Sequence, residues 1–252
     1  MSPSPRIRKI GILLFWLAVW QIAALLIDNS IVFVGPYPVL CAFRNLLPTP
    51  GFWLSVGSSF GKISLGFLAA FFCGLAAGSL AHRFALLREF LEPIIRLMKS
   101  VPVASFVILA LIWIGSANLA VFISFLVVFP ILYVNTIAGL ENTDQKLLEM
   151  ARVFSVSPAG RLRCIYLPAL LPYLISGCRI ALGMSWKSGV AAEVIGVPSH
   201  TIGENLYMAK IYLGTADLLA WTIVIILVST LFEKLFLLLL VKGVRLCFRF
   251  SW

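Results

Sequence analysis

Charge is what this chain has least of. Charged residues make up 12% of its 252 positions and hydrophobic ones 61%, and no single soluble core could enclose so much apolar side chain. Acidic residues number 10 and histidines 2, which leaves few groups for hydrolytic chemistry, and neither His-Glu-x-x-His nor Gly-x-Ser-x-Gly occurs. The five cysteines, at 41, 73, 164, 178 and 247, show no Cys-x-x-Cys or other ligand spacing, so neither a disulfide framework nor a metal site is expected. A nucleotide loop is missing as well. Gly57-Ser58-Ser59-Phe60-Gly61-Lys62 has three residues between its glycines where a phosphate loop needs four, and Ile63 stands where the magnesium-binding Ser or Thr belongs. The expectation is a chain that is not an enzyme, with no catalytic residue and no cofactor of its own.

What the chain has instead is long apolar runs. A spanning helix needs about 20 mainly apolar residues, and six candidates appear, at about 10 to 27, 60 to 81, 101 to 115, 118 to 138, 168 to 189 and 218 to 241. The third is short, and Pro102 in its first turn suits a re-entrant or tilted helix reaching back toward Leu97. The formal charge of +10 is distributed by loop. Arg6, Arg8 and Lys9 precede the first run; Arg83, Arg88, Arg96 and Lys99 follow the second; Lys146, Arg152, Arg161 and Arg163 follow the fourth; Lys242, Arg245 and Arg249 follow the sixth. Every second loop is basic, which predicts a multi-pass protein with both termini in the cytoplasm and argues against nucleic acid as the partner of this charge. His82 and His200 then fall on opposite sides of the membrane. The basic start and first apolar run lack a small-x-small cleavage site and end at Asp28-Asn29, so they are read as a retained helix rather than a signal peptide.

Three regions are expected: a first helix and outer loop over 1–55, a transmembrane core over 56–241, and a cytoplasmic tail over 242–252. Gly35 to Pro50, with Pro36, Pro38, Pro48 and Pro50, is predicted as an extended outer loop around a short amphipathic stretch, Val39 to Leu47. The second run carries Gly61, Gly66, Gly74 and Gly78, small residues that permit close helix packing in lipid. Arg83 to Lys99 places Leu86, Leu87, Phe90, Leu91, Ile94, Ile95 and Met98 on one face, the pattern of a helix lying in the cytoplasmic interface.

A polar insert separates the fourth and fifth runs. Asn142, Thr143 and Asp144 offer capping oxygens for a helix starting near Gln145, and Leu147, Leu148, Ala151 and Phe154 recur at helical spacing. Ser157-Pro158 reads as an N-cap with proline at the first helical position, so a second short helix should follow a turn at Ser155 to Ser157. Glu149-Met150-Ala151, Ser155 and Ile165-Tyr166-Leu167-Pro168 resemble the Glu-Ala-Ala loop of bacterial ABC-importer permease subunits: Glu-Ala-Ala, three residues, Gly, nine residues, Ile-x-Leu-Pro. Two positions depart from the pattern. Met150 replaces the second residue, and Ser155 replaces the Gly and loses its freedom to take positive φ.

The resemblance implies an all-α integral membrane protein of six transmembrane helices, with the type I importer permease fold and a cytoplasmic coupling helix. It further implies a bacterial inner-membrane location and a homodimer. The implied partners are two copies of an ABC ATPase, which bind the ATP and magnesium, and an extracytoplasmic solute-binding protein. Glu149, Met150, Ala151, Phe154, Ser155 and Ser157 are the candidate coupling residues. Ala191-Ala192-Glu193-Val194-Ile195-Gly196 and Thr201-Ile202-Gly203-Glu204-Asn205-Leu206 resemble the nitrate, sulfonate and taurine branch, in which an Ala-Glu segment and a turn follow the fifth helix.

For the translocation path or gate the candidates are Arg179, Trp186, Lys187 and Glu193. Arg179 lies eleven residues past Pro168, about 16 Å along a helix and thus near mid-bilayer, where a cation is expected to face protein or water. Lys187 either snorkels to the outer surface or faces the path; Glu193 is read as a brace, a partner of Lys187 or a surface carboxylate. Such cations would suit a small anion such as a sulfonate, taurine, nitrate or bicarbonate. A vitamin precursor or other neutral solute remains the alternative within the same class. A stand-alone carrier or channel would need an acidic ion site within the membrane, and Glu233, near a helix end, is the one carboxylate that looks buried in the sequence.

Overall fold

A computed structural model describes residues 5–249; of the residues named above, the side chains of Arg6, Arg245, Cys247 and Arg249 lie outside the described part. Helix α1 (Pro5–Ile27) stands apart from the bundle with its membrane-length stretch unburied, tied in by the Trp20 indole N–H, which donates to the Val34 carbonyl at 2.9 Å. The expected extended outer loop is mostly helix. Gly35 is extended, Pro36 takes the first helical position, where its fixed φ and missing N–H cost nothing, and α2 (Pro36–Leu46) buries Val39 against Ala220.

The core is made of α3 (Pro50–Arg83), α6 (Leu119–Glu141) and α9 (Leu167–Gly196). In lipid there is no water to drive these helices together, so close van der Waals approach has to do it. Small residues recur every fourth position on α3: a Cβ at Gly66 would meet the Val121 carbonyl oxygen at 2.4 Å, one at Gly74 would meet Leu132, and one at Gly78 would meet Thr136, while Ala70 between them is fully buried. Gly61 belongs to a different face and has open space. These pairings rise together in number, so α3 and α6 run parallel. Gly139 lies against Leu170 and Gly177 against Asn135, so α9 runs antiparallel to both. Phe67 and Phe71 of α3 reach Phe236 of α11 (Thr215–Arg249) edge-on at 4.8 and 5.4 Å, an aromatic seam that closes the core.

Two parallel helices joined in sequence require a return crossing between them. It is supplied by α4 (Ala85–Ser100) and α5 (Val103–Ile114), bent by 106° where Pro102 removes an N–H and holds Val101 extended. Among the described residues, five helices are long and apolar enough to cross alone, and the bent pair, taken as one broken span, passes the same test as a sixth. The third run, expected at 101 to 115 as a short, re-entrant or tilted helix, forms as α5, whose 12 residues, about 18 Å, are too short for a bilayer core by themselves. It ends at Gly115, whose φ of 76° favours glycine. α11 also runs on through the predicted tail at 242 without a break.

Candidate functional site

At one end of the bundle, beyond α6, the chain forms the bent pair read from the insert. Asp144 caps α7 (Gln145–Val153) by accepting from the Lys146 N–H at 2.8 Å, and Ser157 caps α8 (Pro158–Arg161) by accepting from the Gly160 N–H at 3.2 Å. Between them the backbone closes as a Schellman motif. The Val156 N–H donates to the Ala151 carbonyl at 2.9 Å, and the Ser155 N–H donates to the Arg152 carbonyl at 3.1 Å. Ser155 sits at the left-handed position of that motif, φ 52°, the place where glycine is usual. The Arg161 Nε–H donates to the Val156 carbonyl at 2.9 Å and locks the bend.

Of the coupling candidates, Ala151 is buried, while Glu149 is exposed. Met150 is 54% exposed, Val153 80% and Phe154 73%. Phe154 thus lies away from the buried face to which its spacing assigned it, because α7 ends at Val153 and the turn carries the ring outward. From α8 a five-residue π-turn (Leu162–Tyr166) leads into α9, with the Leu167 N–H donating to the Leu162 carbonyl. Pro168 has no N–H for the usual ladder, and the wider turn accommodates that gap.

The path candidates separate onto two sides of α9. Ser176, Arg179 and Lys187 are exposed, with Gly183 half-buried, on a stripe of helical period that no other described part of the chain covers. Trp186 points the other way: it is 2% exposed, with Phe60 and Phe232 at ring distances of 6.2 and 6.5 Å. Glu193 lies inside α9, rather than after the fifth helix, and is fully buried. Its Oε2 accepts from the Ser59 hydroxyl at 2.7 Å and from the Gly203 N–H at 3.1 Å. Ser59 Oγ in turn accepts from the Ile202 N–H at 2.8 Å. One carboxylate therefore joins α3, α9 and α10 (Ile202–Ile211). Gly203 makes this possible, since a Cβ there would stand 2.2 Å from the Glu193 Cβ. Glu193 is neither a surface carboxylate nor an ion-pair partner of Lys187, and Glu233 is only half-buried. Ser59 was not identified as a site residue from the sequence; its one visible signal is Ser55 and Ser59, four apart on an apolar helix, and Ser55 accepts from the Asn205 amide at 3.0 Å.

The sequence profile of the family described as binding-protein-dependent transport system inner membrane component matches residues 62–245. The chain belongs to that family. It is 29% identical over 232 residues to the taurine transport system permease protein of Escherichia coli (strain K12), covering 89% of this chain and 84% of that one. Over 189 residues it is 30% identical to the nitrate import permease protein of Leptolyngbya laminosa, covering 70% and 68%. A bicarbonate transport system permease protein of Synechococcus elongatus is 30% identical over 182 residues, covering 67% and 65%. The chain is thus an ABC transport permease of the sulfonate, nitrate and taurine branch, an inner-membrane component with the type I importer fold.

Proposed function

We propose that this permease forms the solute path as a homodimer and is driven by two copies of a separate ABC ATPase docked on the Glu149 to Pro168 loop, with solute delivered by an extracytoplasmic binding protein. The observation that carries the coupling half is the exposure of Met150, Val153 and Phe154 on a capped and locked helical bend. Apolar side chains so far out of water's favour on an ordered element suit a protein groove. Glu149 and Ser155 shape that surface, and Ser157 fixes the second helix. With the basic loops on the same end as this bend, the positive-inside rule puts it and both termini in the cytoplasm, where ATP is available.

The path half rests on the uncovered stripe of α9. A bare guanidinium and ammonium on a membrane helix are costly against lipid, so Arg179 and Lys187 face a second protein copy or a water-filled route. Trp186 and Glu193 act from within, holding α9 in place rather than touching solute. Two cations on the route suit a small anion, and the relatives named above are permeases for taurine, nitrate and bicarbonate.

The test is reconstitution with the ATPase. Glu149→Lys and Phe154→Asp alter exposed positions, so the permease should stay folded, lose co-purification of the ATPase and lose solute-stimulated ATP hydrolysis. Unchanged binding and stimulation in both variants would refute the docking surface. Uptake by the permease without any ATPase would favour a stand-alone carrier.

A further inference from the structure

Where α4 crosses the loop-bearing end of α6, the two helices border an open cavity of about 300 Å³. Its wall includes Arg88, Glu92, Arg96 and Lys99 from α4 with Tyr133 and Glu141 from α6. Tyr133 is 4% exposed, and its hydroxyl is buried with no hydrogen-bond partner among the described residues. A buried O–H without an acceptor is an exception among folded proteins, and a bound acceptor is a common remedy.

The charges around it favour an anion. Arg88 pairs with Glu141 and Arg96 with Glu92, but these side chains are 47% to 76% exposed, and pairs so open to solvent are weak. Each guanidinium also carries five donors, so it can keep its carboxylate and still serve a second acceptor. Lys99 is exposed and belongs to neither pair.

The setting favours a headgroup. α4 leaves Leu86, Phe90 and Leu97 exposed, 57% to 79%, while burying Ile95 against Ala81, Tyr133 and Ile137. An apolar face open to lipid beside a basic cavity places that cavity at the depth of the phosphates, and basic pockets between membrane helices are suited to such groups.

We propose that this cavity binds a phosphoryl oxyanion, carried by an anionic phospholipid headgroup or free in solution. Lys99 and Arg96 meet its charge, and the Tyr133 hydroxyl donates the hydrogen bond it otherwise lacks. A ligand held there bridges α4 to α6 and so sets the angle of the broken crossing, because α4 leads directly through Pro102 into α5.

The full-length permease, purified in detergent, provides the test. Lipid retention is read by native mass spectrometry with phosphatidylglycerol against phosphatidylcholine, and thermal stability with inorganic phosphate against chloride at equal ionic strength. The comparison variants are Arg96→Ala with Lys99→Ala, at exposed positions, and Tyr133→Phe, which keeps the ring and removes only the hydroxyl. Wild type should prefer phosphatidylglycerol or be stabilised by phosphate, with affinity falling about tenfold in the double variant and several-fold in Tyr133→Phe, as loss of charge-assisted hydrogen bonds implies. Protection by phosphate without lipid preference would assign a soluble ligand to the same site. The proposal is overturned if neither lipid nor phosphate discriminates, or if both variants retain the wild-type response.

Discussion

Truncating Glu193 to alanine should be among the most damaging single changes in this permease. The carboxylate accepts from Gly203 N–H and Ser59 O–H in a place where Glu193, Ser59 and Ile202 are all fully buried. Removing it strands two donors, of which the hydroxyl is able to rotate and the backbone N–H is not. At about 1–3 kcal/mol for each buried unsatisfied group, with partial relief for the hydroxyl, the loss is about 3 kcal/mol. For a chain of this size that lowers the thermal midpoint by roughly 6–12 °C. Glu193→Gln keeps an accepting oxygen in the same position and should cost about 1 kcal/mol or less. Ser59→Ala removes one donor and also the acceptor of Ile202 N–H, so the two alanine variants share a bond. Their double-mutant cycle should show a coupling of about 1.5–3 kcal/mol. Thermal unfolding of the detergent-solubilised protein, followed by tryptophan fluorescence, measures all four forms. An alanine variant within about 2 °C of wild type, or strictly additive losses, would refute a load shared through this carboxylate.

Ser155→Gly should relieve the left-handed strain at φ 52° and stabilise the loop by about 1 kcal/mol, less the entropy that glycine gains in the unfolded chain. Hydrogen exchange of the 145–157 amides should slow by about two- to fivefold, and an unchanged rate would mean the turn is not strained. Gly66→Ala forces a methyl to within 2.4 Å of the Val121 carbonyl oxygen and should destabilise by about 1–3 kcal/mol, whereas Gly61→Ala, in open space on the same helix, should be neutral or slightly stabilising. Thermal midpoints of the pair decide this, and equal losses would deny that α3 and α6 meet through their small residues. Arg179→Gln and Lys187→Gln, both exposed, should leave the midpoint within about 2 °C while lowering uptake of an anionic solute in proteoliposomes. Unaltered uptake in both would place the anion's route elsewhere.

Signals that depend on neighbours in sequence were legible. The spans, the Asp144 and Ser157 caps and the turn at Ser155 each follow from a few adjacent residues, and the structure forms them there. The serine in glycine's place was legible as a departure that gives up the freedom of positive φ, and the structure puts it at φ 52°. What was not legible depends on partners far along the chain. Ser59 is 134 residues from the carboxylate it holds, so nothing beside Glu193 announces its burial. Pro102 signals a break in the third crossing, but nothing beside it announces the 106° bend or the packing of Ile95 against Ala81, Tyr133 and Ile137 of α3 and α6. On α9 the two faces were hard to separate because both carry polar residues. Size does not separate them either: the buried face mixes Gly177, Ala181 and Gly189 with Trp186 and Glu193, and the uncovered one carries Ser176 beside Arg179 and Lys187.

The two ends of α9 differ in how firmly they are held, and this bears on how motion could travel. Near its C-terminal end, Glu193 ties it to α3 and α10, and α10 is fixed again by Thr201 capping its first turn and by the Asn205 to Ser55 bond. Its beginning is joined to α8 through the π-turn, a strained serine and caps that are open to solvent. Between these ends lies one continuous helix of 30 residues, about 45 Å long. In the proposed cycle the ATPase moves the α7–α8 bend, and a helix pinned by a buried network at its far end pivots there rather than sliding. The displacement then grows with distance from Glu193, so it is larger at Arg179, about 21 Å along the helix, than at Lys187, about 9 Å along it. Weakening the pin should therefore do more than lower stability: Ser59→Ala should let ATP hydrolysis continue while uptake per ATP declines. A stability loss with an unchanged ratio of solute moved to ATP consumed would show that the brace is structural only.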